Sequence, residues 1–354
     1  MTSLGFLTIK KQQEGVYFTS IAKEAPSSLT LYRFTPLDIE PLTEMVNGYV
    51  YNRELEKWEK SKFPIPEFIY DRCFYGSTEA SKKCEPIVRW LKKRPGTTFL
   101  GYGLPNKWDV YEALSADREA APYLPTTCKI ETYKDLKKAF KQSNSIIIKP
   151  ISGSQGNGVI KLHMHTTGIE LQYQVKDQIA SKTFTSALDF KEYMKELLRE
   201  NTYISQPFFT LLLDSCPYDV RILMQKNEHG EWIEQGRGIR KGRENGIVSN
   251  LYHGGDILPF PAAVNAWQPS KRKLILEEIE SILEYIPSRL EEKFGRIFEL
   301  GLDIGVTDDG AVWLLDINSK PGRKVINQTF PDKKEEISQA PIKYCEFLKQ
   351  VEVK

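Results

Sequence analysis

The chain has 354 residues, with 49 Lys plus Arg against 47 Asp plus Glu, a formal charge of +2, and 40% hydrophobic and 27% charged residues. These proportions suit a folded chain long enough for two or three domains, and they exclude wholesale disorder. The near-neutral balance removes any whole-molecule field for gathering nucleic acid or anionic membrane, although a local basic cleft stays open.

Apolar runs are short, Phe208 to Leu213 being typical, and none approaches the ~20 residues of a membrane helix. Met1 to Lys11 lacks the apolar stretch and small-residue cleavage site of a secretory signal. Cys73, Cys84, Cys128, Cys216 and Cys345 are odd in number and widely spaced, with no Cys-x-x-Cys, so neither a disulfide framework nor a zinc site is expected. The expectation is a cytoplasmic protein without a membrane span.

In chain order, residues 1–100 mix short apolar runs with a charged stretch, Arg53 to Lys62, that reads as a solvated helix face. Phe63-Pro64-Ile65-Pro66 and Arg94-Pro95-Gly96 punctuate the region, and a boundary falls near residue 100. Thr132 to Lys141 reads as a helix with Thr132 and Asp135 as its capping pair. Ser145 to Pro150 is a buried strand. Val159 to His165 and Ile169 to Val175 form a hairpin across Thr166-Thr167-Gly168. Ser186 to Glu200 is an amphipathic helix. Strands follow around Tyr203 to Gln206, Asp219 to Lys226 and Trp232 to Arg240. The longest helix runs from about Ser270 to Phe294, its stripe Ile275, Ile279, Ile282, Ile286, Leu290 and Phe294 facing a core. Pro287 is expected to kink or interrupt it. Leu302 to Val306 and Ala311 to Ile317 close the series as a hairpin. The fold class is α+β.

The sharpest local signal follows the buried strand: Lys149, then Ser152, Gly153, Ser154, Gln155, Gly156 and Gly158. Glycines let backbone amides approach a polyphosphate, serines add donors, and Lys149 adds charge. The run lacks the Gly-Lys-Ser/Thr ending of a Walker loop, and a plain glycine-rich turn is the other reading. Asp316 and Asn318 lie two apart on a strand, so they share a face. Val312, Leu314, Asp316 and Asn318 form one alternating row, and hairpin pairing brings Asp303 beside Asp316. Hard oxygen ligands with room for phosphates suit Mg²⁺; solvated strand-end acids are the bland alternative. The basic run Arg237 to Arg243 lacks aromatic interleaving, so a cationic wall beside a triphosphate is preferred to a nucleic-acid patch. His163 and His165 share a strand face without a third ligand and read as solvated hairpin residues.

Loop lysine, glutamine-containing hinge, strand arginine and Asp…Asp-x-Asn, in that order, resemble the ATP-grasp superfamily. The spacing is similar to the bacterial glutathione synthetase branch over Leu104 to Gly322. Asn106-Lys107-Trp108, Tyr70-Asp71-Arg72, Ser249-Asn250-Leu251 with Gly254-Gly255, and Leu315 to Gly322 resemble the YheC/YheD group, described as endospore coat-associated. The resemblance implies an ATP-grasp fold, two α+β subdomains clasping ATP, preceded by an N-terminal α/β domain. Its segments would be 1–100, a lid subdomain at 101–200 carrying the glycine loop, and a C-terminal subdomain at 201–354 carrying the metal site.

By the same resemblance, Lys107 and Lys149 would hold the ATP phosphates, with Ser152 to Gly158 as the closing loop. Gln206, with Phe208, would be the adenine hinge, and Asp214 would reach the ribose. Arg221, Arg240 and Asn250 would serve the reacting groups, and Asp303, Asp316 and Asn318 would hold Mg²⁺. The family usually has glutamate where Asp316 stands, so the count of one or two metals is open. The implied activity is an ATP- and Mg²⁺-dependent carboxylate–amine ligase acting through an acyl phosphate. The alternatives are a spore-coat structural protein that binds ATP without turnover, or a kinase on the same fold. Expected partners are small-molecule or peptide carboxylates and amines and spore-coat proteins, with no nucleic acid. Tyr70-Asp71-Arg72 either shapes the acceptor pocket or forms a salt-bridged strand-end turn.

Overall fold

A computed structural model describes residues 2–76, 78–153, 158–175, 178–249, 251 and 254–352. The first sheet is built from β1 (Thr2–Leu7), β2 (Leu29–Phe34), β3 (Met45–Asn52), β4 (Lys57–Pro64), β5 (Phe68–Asp71) and β6 (Thr98–Phe99), in the order β4-β3-β2-β1-β5-β6. β1 runs parallel to β2 and β5, and β5 parallel to β6, while β3 and β4 form an antiparallel arm. Helices α1 (Gly15–Glu24) and α2 (Glu79–Leu91) supply the crossovers.

The charged stretch Arg53 to Lys62 is not a helix. It is a turn and most of β4, whose aromatic residues pair across the sheet: Trp58 lies 5.2 Å from Tyr51, and Phe63 stacks at 3.9 Å on Tyr32. Such contacts stabilise a strand that charge alone leaves undecided. Arg53 is spent on the turn, donating to the Pro26 and Leu29 carbonyls at 2.7 and 2.8 Å.

Helix α3 (Lys107–Ser115) begins at Asn106, whose side chain accepts from the Trp108 and Asp109 amides. The second sheet follows, with β7 (Cys128–Ile130), α4 (Tyr133–Gln142), β8 (Ser145–Pro150), β9 (Ile160–His165), β10 (Gly168–Val175), β11 (Gln178–Phe184), α5 (Ala187–Glu200) and β12 (Tyr203–Pro207). Its order is β11-β10-β9-β8-β12-β7 and every pairing is antiparallel. Both capping signatures form: the Thr132/Asp135 box starts α4, and Ser186 accepts from the Asp189 amide at α5. β11 escaped the sequence reading because only Phe184 in it is buried; a strand with little buried surface leaves no apolar alternation to read.

The third sheet takes β13 (Leu212–Leu213), β14 (Cys216–Lys226), β15 (Trp232–Lys241), β16 (Asp256–Pro259), β17 (Glu299–Val306) and β18 (Val312–Asn318), in the order β16-β15-β14-β17-β18 with β13 on β14. Between its strands lie α6 (Pro261–Ala266) and α7 (Arg272–Phe294); α8 (Lys324–Thr329) and α9 (Lys334–Glu352) end the chain. One face of the sheet, Val220, Ile222, Ile239, Leu302 and Ile304, packs on Ile275, Ile279, Ile282 and Ile286 of α7. Each such burial contributes roughly 1.5–3 kcal/mol. α7 continues through Pro287, which is itself buried in that stripe; packing outweighs the lost backbone bond. α9 returns to the first sheet, where Tyr344, Cys345 and Leu348 share a core with Leu4, Phe6 and Phe18. Among the described residues no helix is long and apolar enough to cross a membrane.

Candidate functional site

The face of the third sheet turned away from α7 is charged. Neighbouring strands place Arg240 opposite Asp219, Arg221 opposite Asp303, and Asp303 opposite Asp316. Directly opposed residues share a face. Arg240 donates to both Asp219 oxygens at 2.7 and 2.6 Å and lies 2.8 Å from Asp303 Oδ2. Arg221 Nη2 donates to Asp303 Oδ2 at 3.2 Å, and the Ser249 hydroxyl donates to Asp219. Arg240, Asp219, Arg221 and Asp303 are nine-tenths or more buried, and Asp316 is partly buried. Gly301 keeps room for the ladder: a Cβ there would meet Arg221 Nη1 and the Pro321 Cβ, each at 2.7 Å.

Asp316 reaches this face by a route that alternation did not foresee. On β17, Leu302, Ile304 and Val306 face the core. Ile304 opposes Leu314 and Leu302 opposes Ile317, yet Asp303 opposes Asp316, so Leu315 is an extra residue. This bulge sets Val312 and Leu314 on the core face but Asp316 and Asn318 on the opposite one. The expected single row of Val312, Leu314, Asp316 and Asn318 is therefore broken in two.

The second sheet faces this ladder across a cavity of about 530 Å³, within the range of ligand pockets. Lys149, at the end of β8, donates to Gln206 Oε1 at 2.9 Å and to the Leu315 carbonyl at 3.3 Å. The Gln206 amide in turn donates to Thr127 Oγ1 at 3.0 Å. Lys107, in the first turn of α3, pairs with Asp316. Phe208 lines the cavity with Lys161 4.0 Å over its ring, while its backbone amide is engaged by the Ser145 carbonyl at 2.9 Å. An adenine edge would thus find its donor beyond Phe208. Gly153 and Asn318 also line the cavity, whereas Ser152 is exposed and Gly158 turns at positive φ against Pro150. Ser154, Gln155, Gly156 and Asn250 lie outside the described residues.

Burial and charge set the titration of the site. Burial pulls the Lys149 ammonium below the ordinary lysine range, against the attraction of Asp316. For Asp316 burial acts upward, yet Lys107 and Lys149 hold its carboxyl below the usual range. Burial wins at Asp303, which is pushed up despite Arg221 and Arg240. Burial, then the nearby Arg240, lowers Arg221; Arg240 itself, although buried, is held high by Asp219 and Asp303.

Asp303 Oδ1 is buried without a hydrogen bond, although Arg221 Nε lies 2.6 Å away off the donor axis. An acceptor left in that state beside a second carboxylate and the Asn318 amide fits a hard cation. Among the described residues no three His, Cys, Asp or Glu converge as a metal cage. Mg²⁺ would need only one or two of these carboxylates, filling its shell from phosphates and water.

Several expectations are redrawn. Of the basic run, Arg240 faces the cavity. Arg237 instead pairs with Glu234 and Glu280, and Lys241 with the exposed Asp214, so a cationic wall does not form. His163 and His165 meet edge to face on the hairpin with ring centroids 4.3 Å apart, and Glu170 lies 3.5 Å from His165. Arg72 is fully buried, its guanidinium bridging Glu14 at 2.6 and 2.7 Å and Glu299 at 2.5 Å. Arg323 also donates to Glu299, at 2.7 Å, and lies 3.5 Å over the Tyr17 ring. Asp71 pairs with Lys320 at 2.9 Å. The Tyr70-Asp71-Arg72 run thus ties the first sheet to the third, and Glu14 and Phe74 are the first-sheet residues that reach the cavity. Asp219, Ser249, Leu315 and Glu14 were not singled out from sequence; for Asp219 the signal existed, two residues before Arg221 on the same strand face.

A family model described as YheC/D like ATP-grasp matches residues 96–348. The chain belongs to the YheC/D-like ATP-grasp family. Two relatives from Bacillus subtilis (strain 168) carry that name further. The endospore coat-associated protein YheC is 39% identical over 350 residues, covering 98% of this chain and 96% of the relative. The endospore coat-associated protein YheD is 26% identical over 293 residues, covering 80% of this chain and 62% of the relative. Among solved structures, the VanG D-Ala:D-Ser ligase of Enterococcus faecalis has a TM-score of 0.56 at 12% identity, covering 98% of this chain and 99% of that one. The D-alanine-D-alanine ligase of Coxiella burnetii has a TM-score of 0.55 at 10% identity, covering 99% and 96%. At such identities the likeness concerns the fold: this is the ATP-grasp fold, an α+β pair of sheets with an α/β sheet before them.

Proposed function

We propose that this YheC/D-like ATP-grasp protein is an ATP- and Mg²⁺-dependent carboxylate–amine ligase that works through an acyl phosphate. The observation that carries the reading is the cleft itself, where Lys107, Lys149, Arg221 and Arg240 converge from two sheets on Asp303 and Asp316. Phosphoryl transfer needs little covalent help and much charge neutralisation and positioning. Lys149 and Lys107 hold the triphosphate, and Arg221 and Arg240 neutralise the oxygens of the transferring group. The substrate carboxylate forms a bond to the γ-phosphorus as the bond to ADP breaks. An amine then attacks the acyl carbon, loses a proton, and expels phosphate to leave an amide. Asp303, Asp316 and Asn318 would hold Mg²⁺, which supplies further neutralisation of phosphate charge. In this reading residues 1–100 shape the acid site, while 101–200 and 201–354 act as the two jaws.

A second reading, ATP binding without turnover in a coat-associated protein, draws on the Lys107–Asp316 pair, which closes the site on itself, and on the names of the relatives. It is compatible with synthesis in the cytoplasm and later association with the endospore coat. Incubation with ATP, Mg²⁺, candidate acids and hydroxylamine separates the readings. The ligase yields hydroxamate, lost in Lys149→Ala and Asp316→Ala. ATP binding with no ADP release across a broad acid panel sinks it, and a phosphorylated hydroxyl product points to a kinase.

A further inference from the structure

A second cavity, of about 500 Å³, opens beside the cleft, and Glu14 and Lys324 line both. Its remaining walls come from α1, α8 and α9. A cleft of about 530 Å³ is the size that one drug-sized ligand fills, so a nucleotide leaves an acid of any length needing further room. The chemistry of the neighbouring cavity says what that room accepts.

Among the described residues Glu14 is the acid on its walls, and its charge is already answered. Arg72 holds both its oxygens, and Arg323 lies 3.6 Å away. Arg323 is itself matched by Glu299. Lys324 and Lys334, exposed on α8 and at the start of α9, have no ion-pair partner among the described residues. Asn327 Oδ1, on the same wall as Lys324, is buried with no hydrogen-bond partner. Ser338, buried, meets Ser20 at 3.0 Å and gives the floor a polar lining. Unpaired positive charge at the rim of a cavity that adjoins the cleft describes one ligand chemistry: a chain that carries several carboxylates.

We propose that this second cavity is the subsite for the distal part of the acid substrate, and that this substrate is an acidic peptide. The reacting carboxylate enters the cleft past Lys324, while side-chain carboxylates of the preceding residues lie against Lys324 and Lys334. The assignment of the peptide as substrate rests on the ligase reading; the subsite itself is measured by binding alone.

The test is calorimetric titration of the full-length protein with N-acetyl-Glu-Glu-Glu and N-acetyl-Gln-Gln-Gln, both with free C-termini. The acidic peptide binds, and the neutral one is about tenfold weaker or worse. The Lys324→Glu/Lys334→Glu double variant weakens the acidic peptide by about tenfold or more at unchanged melting temperature, both side chains being exposed. Equal affinities, no binding of the acidic peptide, or indifference to the double variant overturns the subsite. Lys149→Ala, which removes a triphosphate contact, leaves the peptide titration intact. Peptide binding without hydroxamate formation would therefore retire the ligase reading and keep the subsite, and the reverse pattern would do the opposite.

Discussion

Lys149 carries the least compromised charge in the cleft. Its partners are neutral oxygens, the Gln206 amide and the Leu315 carbonyl, and the nearest counter-charge is already held by Lys107. Burial therefore depresses its proton affinity, and a bound triphosphate restores it. The sign follows directly: the charged form binds phosphate, so affinity falls as pH rises through the depressed value, earlier than the ordinary lysine value of 10.5. ATP titrations in two buffers of different ionisation enthalpy should show proton uptake on the alkaline side, absent in Lys149→Arg. Identical heats in both buffers at every pH would refute this role. The lysine and its glycine run were legible in the sequence because a charge ending an apolar strand is conspicuous. The Leu315 carbonyl beneath it was not, since a main-chain acceptor has no sequence signature.

At the level of the element, the bulge in β18 decides whether Asp316 shares a face with Asp303. With Leu315 present but no bulge, strict alternation would send Asp316 toward Leu302 and Ile304, where an unpaired carboxylate is expensive. Deleting Leu315 removes the extra residue, leaving Leu314 and Asp316 on opposite faces by plain alternation, so Asp316 should stay opposite Asp303 and ATP binding should be retained, as in Leu315→Ala. If the deletion loses ATP binding while its melting temperature holds, the register account fails. Sequence alternation placed the acid on the right strand and hairpin, and paired it correctly with Asp303. It gave the wrong face for Val312 and Leu314, because a bulge is a property of two strands and cannot be read from one. β4 teaches a related lesson, its charged residues hiding the aromatic pairing that makes it a strand.

Across the whole molecule, Glu299 at the start of β17 gathers Tyr70 and Arg72 from the end of β5 and Arg323 from the start of α8. Two guanidiniums and two carboxylates close this network to neutrality, and it forms the joint between the first and third sheets. Glu299→Gln leaves two cations buried against one acid. Removing one partner from such a group costs about 3–5 kcal/mol, or a fall of roughly 4–7 °C in melting temperature for a chain of this size. Thermal unfolding monitored by circular dichroism checks it, and a fall of less than about 2 °C would show the joint to be dispensable.

The amino-acid order alone determined the alternation of helices and strands, the capped starts of α4 and α5, and the succession Lys149, Arg221, Asp303, Asp316 that carries the family likeness. These depend on local periodicity and on charges interrupting apolar runs, both visible within a few residues. Only the tertiary structure decided that Asp219 locks Arg240, that Arg237 turns away, that Arg72 is a buried joint, and that a second cavity adjoins the first. Each depends on segments tens to hundreds of residues apart, where burial makes a lone charge costly and its partner is chosen by packing. The +2 balance of the chain belongs to both levels. Its sum is set by composition, but the sorting of buried charges into a ladder, a joint and two unanswered lysines is the work of the fold.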